Sequence, residues 1–129
     1  MVTIPKDLQD IIHTLIAGTD PDIYNSYVAR RENASSISAS GRVMLGWQEV
    51  CDATVKVFKG TARVSGRYID IISFDQIGDA FYVVLKTGAD EESIDGTVSS
   101  IDHIVSLLFE KNDDGWKLLH RHNTRTNRS

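Results

Sequence analysis

One cysteine, Cys51, stands in 129 residues. A single thiol excludes an intrachain disulfide and a multi-thiolate metal site, so the glycosylation-like triplets at Asn33 and Asn127 read as chance matches. No run approaches the roughly 18 to 20 apolar residues of a membrane span. The opening MVTIPKDLQD lacks the basic and apolar regions of a signal peptide, which points to a cytoplasmic protein. Positive charge is scarce as well. Fourteen Lys and Arg against eighteen Asp and Glu leave a net charge of −4, which argues against a nucleic-acid partner. The one basic cluster, Arg121, Arg125 and Arg128, reads as a solvated tail. Nucleophile elbow, phosphate loop and dinucleotide fingerprint are all missing, because the glycines at 41, 46, 60 and 66 lack the spacing. No cofactor is expected.

What is present suits one compact domain, residues 1–129, with 41% hydrophobic and 25% charged residues. Ile4, Leu8, Ile11, Ile12, Leu15 and Ile16 recur at helical spacing, with Pro5 in the first turn and Gly18 placed to end the helix in a left-handed cap. His13 falls on the polar face and reads as solvated. Asp20-Pro21 opens a short second helix whose Ile23, Tyr24, Tyr27 and Val28 share a face. The stretch ENASSISASG (Glu32 to Gly41) supplies a short strand or hairpin. Trp47, Val50, Cys51, Thr54 and Phe58 then mark a third helix, in which Cys51 reads as a small core residue.

After Gly60 the period becomes two. RYIDIISF (67–74), FYVVLKT (81–87), IDHIVSLLFEK (101–111) and the segment from Trp116 to Thr124 read as four strands. Gly78-Asp79, an acidic loop from Gly88 to Gly96, and Asp114-Gly115 separate them. Helices first and strands afterwards predict an α+β fold, a curved antiparallel sheet wrapped around three N-terminal helices.

The order of elements resembles the SnoaL-like branch of the nuclear-transport-factor-2-like superfamily, which also holds the ketosteroid isomerases and scytalone dehydratase. The residues that carry the resemblance are Gly46-Trp47, Gly78-Asp79-Ala80, Ser106-Leu107-Leu108-Phe109, Asp114-Gly115-Trp116-Lys117-Leu118 and His120-Arg121-His122. The resemblance implies a cone with a ligand pocket at its wide end and a homodimer through the outer sheet face. It does not imply a reaction, since the superfamily holds isomerases, dehydratases, cyclases and non-catalytic binders. The aspartate, tyrosine and protonated aspartate of ketosteroid isomerase have no match here. Ile104 stands where relatives often carry an arginine.

Candidate site residues come from the last strand outward. Alternation puts His120 and His122 on one face with Trp116 and Leu118. They suit proton transfer or polar anchoring in a pocket, hydrogen bonding in the sheet or a dimer interface, or, with His103 as a third ligand, a metal. The pocket reading makes His120 the catalytic candidate, better buried than His122. Asp79 alternates with Phe81 and Val83, which aims it inward as a second catalytic candidate, against a plain turn-capping role. Asp70 lies between Ile69 and Ile71 and either faces water or marks a polar site. Tyr24, Tyr27 and Trp47 are aromatic candidates for the pocket lining, against core packing. The expected ligand is a small, largely apolar metabolite, with isomerase, dehydratase or cyclase chemistry open. The competing expectation is a non-catalytic oligomerisation module, as in related kinase-association domains. Ile69, Ile71, Val83, Leu85, Leu107 and Leu119 are counted toward an apolar outer face that a second copy would cover.

Overall fold

A computed structural model describes residues 3–126, with backbone alone for residues 61–66. Asn127 and Arg128 lie outside the described residues. Three helices come first, α1 (Lys6–Ala17), α2 (Pro21–Ser26) and α3 (Trp47–Gly60). The strands are β1 (Ser35–Ile37), β2 (Val43–Leu45), β3 (Thr61–Ile77), β4 (Ala80–Ser93), β5 (Val98–Asn112) and β6 (Gly115–Arg125). One curved, unclosed sheet holds them in the order β2-β1-β6-β5-β4-β3. The expected meander β3 to β6 is antiparallel throughout, and the β1–β2 hairpin joins it parallel to β6, with Ser35 opposite His120.

Local chemistry explains the helix ends. Asp20 caps α2 by accepting a hydrogen bond from the Asp22 N–H at 2.9 Å. Gly18 does not take the expected left-handed conformation, having φ −68° and ψ 156°. Glycine is still required there, because a Cβ would press on the Thr14 carbonyl oxygen. The acidic stretch after Gly88 is a continuation of β4 rather than a loop, up to Ser93. Gly88 is what permits this: the Tyr68 ring lies over it, and the Tyr68 hydroxyl donates to Asp102 Oδ1 at 3.0 Å across the strand. Farther along, Ser100 donates to Asp90 Oδ1 at 2.6 Å, which steadies an acidic residue in a strand.

Leu8, Ile11, Ile12, Leu15 and Ile16 of α1 face the inner side of the sheet, where Phe81, Val83, Leu85, Val105, Leu107 and Phe109 are essentially inaccessible to water. Each such side chain contributes about 1.5–3 kcal/mol by burial. This corrects the assignment of the sheet faces. Val83, Leu85 and Leu107 are inner-face residues, Ile69 packs against the same core, and Ile71 lines a cleft with α1. The outer face instead carries Ile72, Val84, Ile104 and Leu108.

Candidate functional site

The strand registers lay out the inner face in rows. Phe81 stands opposite Phe109, and Phe109 opposite Leu118. Next come Val83, Leu107 and Arg121, then Leu85, Val105 and Asn123, then Thr87, His103 and Arg125. The face is therefore apolar at one end and charged at the other.

The change of character on β6 comes from a bulge. Pairing slips between Leu108 and Phe109 of β5, whose partners are His120 and Leu118, so Leu119 is the extra residue. One inserted residue reverses the alternation beyond it. Trp116 and Leu118 point inward, whereas His120 and His122 lie on the outer face beside Leu108 and Ser106. The expectation that all four share a face fails for this reason. Arg121 and Asn123 take the inward positions. Arg121 is accordingly not part of a solvated tail.

Arg121 is the hub of this end. Its Nη1 donates to the Leu15 carbonyl at 3.0 Å and to the Tyr24 hydroxyl at 3.1 Å, and its Nε donates to Asn123 Oδ1 at 3.0 Å. The Leu15 carbonyl belongs to the last turn of α1, which has no basic residue of its own there. Arg121 thus supplies from β6 the cation that favours a helix C-terminus. Five N–H groups less these three leave the Nη2 edge without a protein partner among the described residues.

His103 is half-buried two rows away, and neither ring nitrogen has a hydrogen-bond partner among the described residues. Burial pushes its imidazole below the usual histidine value, and the Arg121 charge adds to this, while Glu91 pulls the other way. The ring is held neutral near pH 7, with one nitrogen able to accept a proton. Arg67, also half-buried, comes from β3 on the far side of the curved sheet. Its charged form is opposed first by burial and then by Arg121, and favoured by Glu91. Tyr24 is buried, meets Phe58 edge-on at 6.4 Å, and offers its hydroxyl to Arg121.

Of the candidates read from sequence, Tyr24 is bonded to Arg121, and His103 lies two rows along the same inner face, within the field of the Arg121 charge. His120 lies elsewhere, its Nδ1 2.7 Å from Ser35 Oγ, and its ring is also kept below the usual value, mainly by burial and then by His122. His122 is exposed, with its ring 6.5 Å from that of His120. Asp79 sits exposed in the β3–β4 turn, eight residues from Thr87 and so roughly 26 Å from the His103 row. Tyr27 is half-buried, and its carbonyl accepts the Leu118 N–H at 2.6 Å. Trp47 packs against the core beneath the Arg30 guanidinium, 4.8 Å from its ring centre. Asp70 is exposed, opposite Lys86. No group of three metal-ligating side chains exists among the described residues.

Sequence comparison agrees with this architecture. A SnoaL-like domain model matches residues 6–124. The chain belongs to the SnoaL-like family. None of the curated proteins matches it. Among solved structures, a ketosteroid isomerase-like protein from Erwinia carotovora atroseptica superposes with a TM-score of 0.80 at 14% identity, covering 97% of this chain and 95% of that one. A candidate dehydratase of the nuclear-transport-factor-2-like family from Streptomyces avermitilis gives 0.80 at 15% identity, over 94% and 95%. A candidate calcium/calmodulin-dependent kinase II association domain from Thiobacillus denitrificans gives 0.78 at 14%, over 98% of each. At such identities the likeness concerns the fold, the cone of a curved sheet over helices. No helix among the described residues is long and apolar enough to cross a membrane.

Proposed function

We propose that this SnoaL-like domain binds a small molecule at the charged end of its inner sheet face and moves a proton there, in chemistry of the isomerase or dehydratase kind. The observation that carries the reading is the half-buried imidazole of His103, without a hydrogen-bond partner among the described residues, on the same inner face as the open Nη2 edge of Arg121 and within the field of its charge. A neutral imidazole can accept a proton from a carbon next to a carbonyl. Arg121, already oriented by Leu15, Tyr24 and Asn123, can stabilise the negative charge that develops on the oxygen. Neighbours named as a dehydratase and a dehydrochlorinase are consistent with such a role in this fold. The test is a screen of small ketones and hydroxy acids followed by the imidazole resonances. Ligands are expected to shift the His103 ring while leaving His122, exposed on the outer face, unmoved. Binding that leaves His103 undisturbed would refute the assignment.

A second reading is association of two copies through the outer face, favoured by Ile72, 57% exposed, beside half-buried Val84, Ile104 and Leu108. The likeness to a kinase association domain supports it. Light scattering that finds a monomer at tens of micromolar, an order-of-magnitude concentration that populates any ordinary dimer, rules it out.

A further inference from the structure

Beside the charged end lies a cleft of about 240 Å³ between α1 and β3, lined by Ile4, Gln9, Ile12, His13, Ile69 and Ile71. Four of the six lining residues are isoleucines. Its two walls lead to the same place. Along β3 the inward Ile71 and Ile69 are followed, two residues on from Ile69, by Arg67, which sits in the irregular stretch between Ser65 and Tyr68 and is half-buried within the field of Arg121. Along α1, Ile12 is followed one turn later by Leu15, about 4.5 Å up the axis, and it is the Leu15 carbonyl that Arg121 holds. Neither arginine lines the apolar cleft itself, but each lies a short way along the chain from one of its walls, Arg67 beyond Ile69 and Arg121 at the Leu15 carbonyl beyond Ile12.

We propose that the ligand is an amphipathic carboxylate, its apolar body lying in the α1–β3 cleft and its acid head between Arg67 and Arg121. The inference rests on the small-molecule reading above and adds the class of ligand. Charge is its first support. In a chain of net charge −4, the groups whose fields meet at this end are Arg67, Arg121 and Arg125 against Glu91, with Asp102 contributing to His103 more weakly. Geometry is the second. Neither the Nη2 edge of Arg121 nor the guanidinium of Arg67 has a hydrogen-bond partner among the described residues, and a carboxylate fits a guanidinium edge with two parallel bonds. A neutral ligand would bury both cations without pairing them, which is costly. Size is the third. The cleft falls below the roughly 300–1,000 Å³ of sites for drug-sized ligands, so the body is a short chain or a single ring.

Calorimetry with octanoate, octanol and inorganic phosphate tests this. Octanoate is expected to bind at least about tenfold more tightly than octanol, a difference of about 1.4 kcal/mol, and more tightly than phosphate, which lacks the apolar body. Replacing Arg67 by glutamine should weaken octanoate about tenfold and leave octanol unchanged, whereas Arg67→Lys should retain part of the preference. The comparison of octanoate with octanol on the unaltered protein needs no variant to fold. Equal binding of the two, with the His103 ring shifted by both, overturns the acid head and leaves the site standing. Octanoate binding that depends on Arg67 without moving His103 supports the acid head and removes the proton-transfer role. Phosphate binding as tight as octanoate overturns the claim that the cleft holds an apolar body.

Discussion

The two ends of the inner sheet face both carry a polar atom without a partner, and they differ in who can reach it. At the end near the Gly78 and Gly115 turns, Phe74 stacks on Phe81 at 6.1 Å, Phe81 meets Trp116 edge-on at 5.9 Å, and the buried indole N–H of Trp116 finds no acceptor among the described residues. At the other end the unpaired groups are the His103 ring and the Nη2 edge of Arg121, both only half-buried. An orphan donor sealed among rings is a defect tolerated for packing, since close contact of large rings outweighs one unmade hydrogen bond. A half-buried donor at the open end is one that a ligand can reach. Access, more than polarity, separates the packed end from the end proposed to bind a ligand.

The largest expected effect belongs to the sealed end. Phe81→Ala removes a ring with no exposure to water and two aromatic neighbours, so it should cost about 3–5 kcal/mol in denaturant unfolding. The titration of His103 should not follow, because Val83 and Leu85 stand between the two rows. A loss below about 1 kcal/mol would mean that this end is loosely packed and that the contrast between the ends is false.

At the charged end the expected effect is smaller and has two parts. Arg121→Met leaves the Leu15 carbonyl and the Tyr24 hydroxyl without their donor, a cost of about 1–3 kcal/mol. It also removes a positive charge that disfavours the His103 imidazolium, so the His103 pKa should rise toward its ordinary value. The sign for stability follows. His103 and His120 are both held below the usual value in the folded chain, so the unfolded chain binds more protons in the interval beneath about 6.5, and stability falls as pH drops through it. Arg121→Met should shrink the His103 share of that loss and leave the His120 share intact. Denaturation at pH 7.5 and pH 5 measures both, and an unchanged acid sensitivity would show that Arg121 does not act on His103.

Most of the fold was legible because periodicity is a local signal. Helical spacing in α1 and α3 and alternation in β3 to β6 depend only on which side of each element is buried. The parallel docking of β1 against β6 was not legible, since three residues carry no periodicity and parallel pairing is a long-range event. The candidate site proposed above was legible only in part. His103 and Tyr24 were candidates, whereas Arg121 read as tail. Plain alternation through Leu118-Leu119 allows for no extra residue, and the bulge there exchanges the histidines for Arg121 and Asn123. Two adjacent leucines interrupting an alternating strand are the trace of it in sequence. Arg67 and Glu91 come from β3 and β4, and nothing local in their segments says that a curved sheet brings their charges to Arg121 and His103.

The smallest effect sharpens the comparison most. Trp116→Phe deletes the indole N–H, which no acceptor among the described residues satisfies, so no hydrogen bond within them is lost. The benzene ring keeps its place against Phe81, and the Lys111 ammonium, 5.4 Å from the present ring centre, keeps an aromatic face beneath it. Against this, phenylalanine is smaller and leaves a gap in a core packed to crystal density. The two contributions oppose one another, and the net change should stay below about 1.5 kcal/mol, less than for Arg121→Met although Trp116 is the better buried of the two. Circular dichroism should follow the unfolding, since the substitution removes one of only two tryptophans. A loss of about 3 kcal/mol or more would mean that the indole N–H has an acceptor after all, an ordered water among the rings, and that the sealed end is not dry.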